Sequence, residues 1–414
     1  MFLTKQGGFI MKPISILLGA LMNFIYELFE NFGVLSVGFS IILITFIIRL
    51  FMVPNMYKQK RTSEIIKTIQ PELNKIAKKY RGKKDQESMM AQQRETSELQ
   101  QKYGASMTGG CLGSLIQLPI FMAMYNVIRN IPAYIDNIKA LYNPIANAIA
   151  KNPDAFNKLQ EFQAGEKALS GVKLTVENPD TIIDVLAKFS ESAWDKFAEL
   201  FNNQGPIVDA INQYVPQINE RYDFFGINLT TAPGFAFTIA MIIPVLSFIF
   251  QFLSMHATPQ QEPSDPQQAA TMKSMKTFMN IMPIFSFFIS VTAPAGIGLY
   301  WAMGSLVSFL TSISIAAYFK KADMDKIVEK SKAKAAKKIA KRKAKGKKTF
   351  MERMQESAAN QNNSSAHVNG NVASANLKNY SSSTMNNSNG TTRYKAGSLA
   401  AKANAMQRYN NDKK

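Results

Sequence analysis

The chain has 414 residues and a formal net charge of +19, from 48 Lys and Arg against 29 Asp and Glu. Its single cysteine, Cys111, excludes an intramolecular disulfide and lies too far downstream to be an N-terminal lipoprotein anchor. Apolar residues fall in long blocks rather than in alternation, and windows at 34–53, 112–128, 234–255, 278–292 and 296–319 stand out as candidate membrane spans. The predicted fold class is therefore all-α: a polytopic membrane protein with a five-helix transmembrane core, a cytoplasmic helical hairpin and a disordered basic tail.

Within residues 1–33, Lys5 and Lys12 precede an apolar set, Ile14, Leu17, Leu18, Leu21, Ile25 and Leu28, at helical spacing. Asn23, Glu27 and Glu30 interrupt it, which predicts an amphipathic helix lying in the outer interface. A signal-anchor is the competing reading; it would add a span and invert the termini. No good cleavable signal stands out.

The first core span, 34–54, contains one charge, Arg49. An arginine at the centre of a spanning helix costs about 2.5 to 3.5 kcal/mol on insertion scales, so it calls for a reason. One reading is functional. The other is snorkelling: with Pro54 and Lys58 close behind, the guanidinium lies only roughly 8 to 14 Å from the predicted helix end.

Residues 55–110 are charged. Ile65, Ile66, Ile69, Leu73, Ile76, Ala77 and Tyr80 mark one helical stripe, residues 81–85 a turn, and residues 86–103 a second, more polar helix stopped by Gly104. Together they predict an antiparallel hairpin, with Pro71 starting, kinking or interrupting its first helix. The second span covers 111–130. The connection at 131–233 is too long to be an unstructured turn, and its one clear amphipathic candidate is 181–201. The third span, 234–256, leads to a short loop, 257–274, extended by Pro259, Pro263 and Pro266. The fourth and fifth spans share 275–319, the fourth passing through Pro283. In the tail, 320–414, the stretch from Lys330 to Lys348 reads as a basic helix suited to phosphate-rich partners or anionic headgroups, and disorder is predicted from Glu356 onward. A solvated basic face that only enforces topology is the alternative reading.

Residues 55–109 carry twelve basic and six acidic residues, the tail from 320 onward twenty-two and six, and the 131–233 connection eight and thirteen. By the positive-inside rule the first two are cytoplasmic and the third external, with the N-terminus outside and the C-terminus inside.

Three stretches carry more than hydropathy: GFSIILITFIIRLFMVP at 38–54, GGCLGSLIQLPIFMAMY at 109–125 and MPIFSFFISVTAPAGIGLYW at 282–301. In that order, with the charged hairpin between the first two, the chain from about Phe24 to Lys320 resembles the YidC/Oxa1/Alb3 family of membrane protein insertases, in the short bacterial form without a large periplasmic domain. The resemblance implies five helices around a hydrophilic groove open to the cytoplasm and sideways to lipid, in the bacterial cell membrane. Arg49 matches the family's groove arginine and Thr45 a polar position one turn earlier. Gln117 and Trp301 match positions near the groove or its walls, although an interhelical hydrogen bond and an outer aromatic belt account for them equally well. The resemblance further implies a recruiting hairpin from Glu64 to Lys102 and ribosome contact by the basic tail. The implied partners are nascent membrane proteins, the ribosome, membrane lipids, the Sec translocon and the signal-recognition-particle pathway, with no DNA, cofactor or metal. Two departures stand out: Ala105 to Thr108 and Gly113 replace the family's Asn-Pro pair and a proline, and the external connection is unusually long.

Two other classes can be set against this reading. A transporter could use Arg49 as an anion site, but no inverted repeat or second matching charge is evident. A hydrolase needs a base beside a nucleophile, yet the histidines are His256, at a span end, and His367, in the tail.

Overall fold

The computed structural model describes residues 11–83, 85–105, 108–166, 169, 172, 174–257 and 266–344, with two short strands beyond them. It is an all-α polytopic membrane protein. Four stretches among the described residues are long and apolar enough to cross a membrane: Lys12–Asn31, Val37–Thr68, Ile239–His256 and Ala295–Lys321.

Helix α1, Met11–Asn31, differs from the sequence expectation in carrying a stretch of spanning length, and it packs against α2, Val37–Thr68, and α5, Thr108–Arg129. Its Met22, Ile25 and Tyr26 are buried. The chain turns at Gly33, and Ser36 caps α2 by accepting the Gly38 amide at 3.3 Å.

Helix α2 does not end at Pro54. It runs through the proline for 32 residues, so the hairpin begins later than predicted. Glu64 belongs to this helix, held between Lys60 at 3.0 Å and Lys67 at 2.8 Å. The break comes at Ile69, and Pro71 sits in the first turn of α3, Gln70–Lys79, where its missing amide donor is harmless.

After the turn at Gly82, Asp85 caps α4, Gln86–Lys102, by accepting the Ser88 amide at 2.8 Å. Lys79 and Tyr80 both bond Glu95, at 2.5 and 2.8 Å, and Tyr103 donates to Glu72 at 2.6 Å. These contacts hold α3 against α4.

Between α5 and the next span lies a packed helical domain: α6 Asp136–Ala150, α7 Pro153–Gly165, α8 Pro179–Leu186, α9 Glu191–Glu199 and α10 Pro206–Tyr222. The single amphipathic helix expected at 181–201 is two, because the chain breaks after Leu186 and Ser190 caps a new helix by accepting the Ala193 amide. Ile138, Ile145, Ile183, Leu186, Phe197 and Val208 are among its buried residues. Tyr142 and Tyr222 meet hydroxyl to hydroxyl at 3.5 Å, and burial pushes both phenols well above their ordinary value, so the pair stays neutral.

The domain seats on α1. Asn23 accepts the Asp136 amide at 3.0 Å, Arg221 lies 3.0 Å from Glu30, and Asn137 also bonds Glu30. A short antiparallel pair, β1 Asp223–Phe224 and β2 Ile227–Asn228, follows α10.

The third span starts later than the predicted 234: a 3₁₀ turn at Ile239–Met241 leads into α11, Ile242–His256. Helix α12, Pro266–Thr292, has a shorter apolar part, Asn280–Thr292, and passes through Pro283. Helix α13, Ala295–Lys321, packs against α11, α2 and α12. Its entry is tied to the preceding loop, with Ala295 donating to Thr231 at 2.8 Å and Gly296 to Leu229 at 2.9 Å.

The basic helix α14, Met324–Ala344, begins six residues before the predicted Lys330. Lys337–Lys414 forms a separate compact unit, described only in the end of α14 and in the paired strands β3 Thr384–Met385 and β4 Arg393–Tyr394. Residues 345–348 of the basic stretch, and most of the tail expected to be disordered, lie outside the described residues.

Candidate functional site

Arg49 faces neighbouring helices. Its Nη1 donates to Oε1 of Gln117 on α5 at 3.3 Å. On the other side, α13 presents Gly304, where an added Cβ would lie only 2.5 Å from Nη2. The guanidinium thus occupies a place that any larger residue at 304 would contest. Among the described residues no carboxylate lies within ion-pair distance of it, so its hydrogen-bond partner is a neutral amide. A cation so placed retains donors for an incoming acceptor.

Gly304→Ala is expected to leave folding nearly intact, because the obstructed atoms are the mobile end of a side chain, while displacing the guanidinium. The check is a melting temperature close to that of the parent, with the Arg49–Gln117 hydrogen bond lost in the structure of the variant.

The other site residues are placed as follows. Thr45 is fully buried one turn before Arg49, and its hydroxyl donates to the Ile41 carbonyl at 2.5 Å, a bond within α2. Trp301 donates from Nε1 to Oε1 of Gln251 on α11 at 2.5 Å, and its ring meets Phe121 of α5 edge-on at 4.9 Å. Tyr300 is buried beside it, with its ring 6.3 Å from that of Phe121. The structure therefore brings Arg49 and Gln117 together, while Thr45 and Trp301 bond elsewhere. Helices α2, α5, α11 and α13 all contribute.

Gly304 and Gln251 were not singled out from sequence. Signals existed: Gln251 is an amide inside an apolar window, and Gly304 follows Gly296 and Gly298 on a span where small residues let backbones approach. The bundle holds further polar groups. Ser247 on α11 and Ser290 on α12 are buried without a hydrogen-bond partner among the described residues.

The hairpin and the basic helix also meet. Gly104, at φ +69°, leaves room for Ser331, whose Oγ would lie 2.7 Å from a Cβ at that position. Lys332 sits 5.5 Å above the Tyr103 ring, a cation–π distance. His256 bonds the Phe252 carbonyl of its own helix at 2.9 Å, whereas His367 lies outside the described residues.

Residues 27–323 match the model of the 60Kd inner membrane protein family. The chain belongs to that family. Among its curated relatives, the membrane protein insertase YidC 1 of Lactiplantibacillus plantarum is 25% identical over 75% of this chain and 72% of its own length. The membrane protein insertase YidC of Bifidobacterium longum is 35% identical over 33% of this chain and 44% of its own. The membrane protein insertase MisCA of Bacillus subtilis is 43% identical over 23% and 36%. The matches to the latter two thus span less than half of each relative's length.

Proposed function

We propose that the protein is a membrane protein insertase and chaperone whose clients pass a hydrophilic groove built around Arg49, open to the cytoplasm and sideways to lipid. The observation that carries this reading is an arginine inside a spanning helix, bonded to a neutral amide and seated over a glycine. Membership of a family with relatives named as insertases supports it.

The physics is simple. Each backbone or polar group carried bare through hydrocarbon costs several kcal/mol, and a half-channel shortens that dry path. A fixed cation in the channel holds an acidic or polar leading segment by attraction that strengthens as the dielectric falls. The client's apolar helix then leaves sideways, driven by burial at about 25 cal/mol per Å². Thr45 would shape α2 behind the cation, and Gln117 and Trp301 would fix the walls.

In this reading the N-terminus is external, the hairpin and tail are cytoplasmic, and the hairpin recruits clients. The ribosome, the signal-recognition-particle pathway and the Sec translocon are proposed partners. The basic helix supplies the ribosome contact through phosphate charge. Truncation after Ala322 is expected to abolish ribosome co-sedimentation, and binding by the full chain to weaken steeply as salt rises. Co-sedimentation unchanged by truncation would remove the ribosome from the account.

The experiment that tests the central reading is insertion of a small single-spanning client into vesicles containing only this protein, scored by protease protection. Solute flux without client protection would instead favour an anion transporter using Arg49.

A further inference from the structure

The pair β1–β2 is joined by a two-residue turn. Phe224 pairs with Ile227, which leaves Phe225 at φ 54° and Gly226 at φ 78° as the two central residues. Two successive positive φ values give the primed hairpin turn, whose first central position suits Asn, Asp or Gly. A phenylalanine in the left-handed region is held against its backbone preference, because its Cβ crowds the following carbonyl oxygen. The ring does not recover that by burial, since Phe225 remains 73% exposed.

The surroundings show what the ring faces. Phe224 and Phe225 stack edge-on at 4.7 Å, and Phe39, in the first turn of α2, lies 5.2 Å from Phe224 and 6.1 Å from Phe225. Gly38 leaves room for the Phe224 ring, and Ser36 donates to the Asp223 carbonyl at 2.5 Å. The hairpin is thereby fixed at the level where the apolar run of α2 begins. The links into neighbouring spans expose further rings: Phe32, between α1 and α2, is 77% exposed, and Phe235, before α11, is 64% exposed.

We propose that the β1–β2 hairpin is a lipid-inserting tip that anchors the α6–α10 domain to the bilayer surface by burying Phe225 among the acyl chains of the adjacent leaflet. The occupant follows from continuity with the apolar end of α2, from an exposed ring held against its turn preference, and from the neighbouring exposed phenylalanines. The inference rests on α2 crossing the membrane and is independent of insertase activity.

The test uses the full chain with Cys111→Ser, an environment-sensitive fluorophore on Phe225→Cys and, as reference, on Asp195→Cys of α9. The protein is reconstituted in phosphatidylethanolamine and phosphatidylglycerol vesicles carrying nitroxide on the upper acyl chain. The label at 225 is expected to emit further to the blue than the label at 195, to be quenched by nitroxide and to be shielded from aqueous iodide. Equal iodide access at the two sites without nitroxide quenching would overturn the proposal. A second variant separates insertion from internal packing. Phe225→Asn fits the turn and is expected to melt no lower than the parent; a lower melting temperature would show that the ring serves the Phe39 cluster, and would overturn the proposal as well.

Discussion

Arg49→Ala is expected to lose insertion of clients with an acidic leading segment, while Arg49→Lys keeps much of it. A charge-assisted hydrogen bond contributes about 1.5 to 3 kcal/mol, so its loss corresponds to roughly a ten- to hundred-fold weaker hold on the incoming segment. Lysine restores the charge but not the fork that reaches both Gln117 and a client carboxylate, hence partial recovery. The same substitution should not destabilise the protein. Among the described residues the Arg49 guanidinium is held by one hydrogen bond, of 3.3 Å to Gln117, so little packing is lost with it. Activity lost with the melting temperature kept or raised is the expected pair of results. A loss of both would make Arg49 a structural bolt between α2 and α5.

Replacing residues 70–102 by a short flexible linker is expected to abolish insertion while leaving membrane assembly and the α6–α10 domain intact. The boundaries follow from the structure. Cutting at Glu64 would truncate α2, where Ile65 is fully buried, and would confuse loss of recruitment with loss of a spanning element. The α3–α4 pair is held mainly by contacts within itself, Lys79 and Tyr80 to Glu95 and Tyr103 to Glu72, so its removal leaves the bundle's own packing in place. Protease mapping of the reconstituted variant checks assembly, and client protection checks insertion. Unchanged client protection would remove the hairpin from the mechanism.

The apolar block at 296–319 was legible because a spanning helix needs a long uninterrupted run, and α13 occupies that place; α5 covers the block at 112–128 as a helix. Helix α4 was legible to within a residue, from polar spacing and the stop at Gly104. The spanning length of α1 was masked by Asn23, Glu27 and Glu30, which read as a wet face. Asn23 and Glu30 bond Asp136, Asn137 and Arg221 instead, partners more than a hundred residues away. Pro54 misled for a related reason: a proline removes one donor, yet α2 continues through it. The division of 181–201 rests on Ser190 capping a new helix within a stretch whose apolar spacing alone looks continuous. Arg49 stood out as a lone charge. Its contacts with Gln117 and Gly304 depend on how α2, α5 and α13 come together, which one sequence does not encode locally.

The most direct measurement is protease protection of a small single-spanning client with an acidic leading end, in vesicles holding only the purified protein, with empty vesicles and the Arg49→Ala protein alongside. Protection with the parent, little with Arg49→Ala and none with empty vesicles is the result expected of an autonomous insertase with a working groove cation. Equal protection by parent and Arg49→Ala would contradict the role of that charge, and protection by neither would contradict insertion by this protein alone.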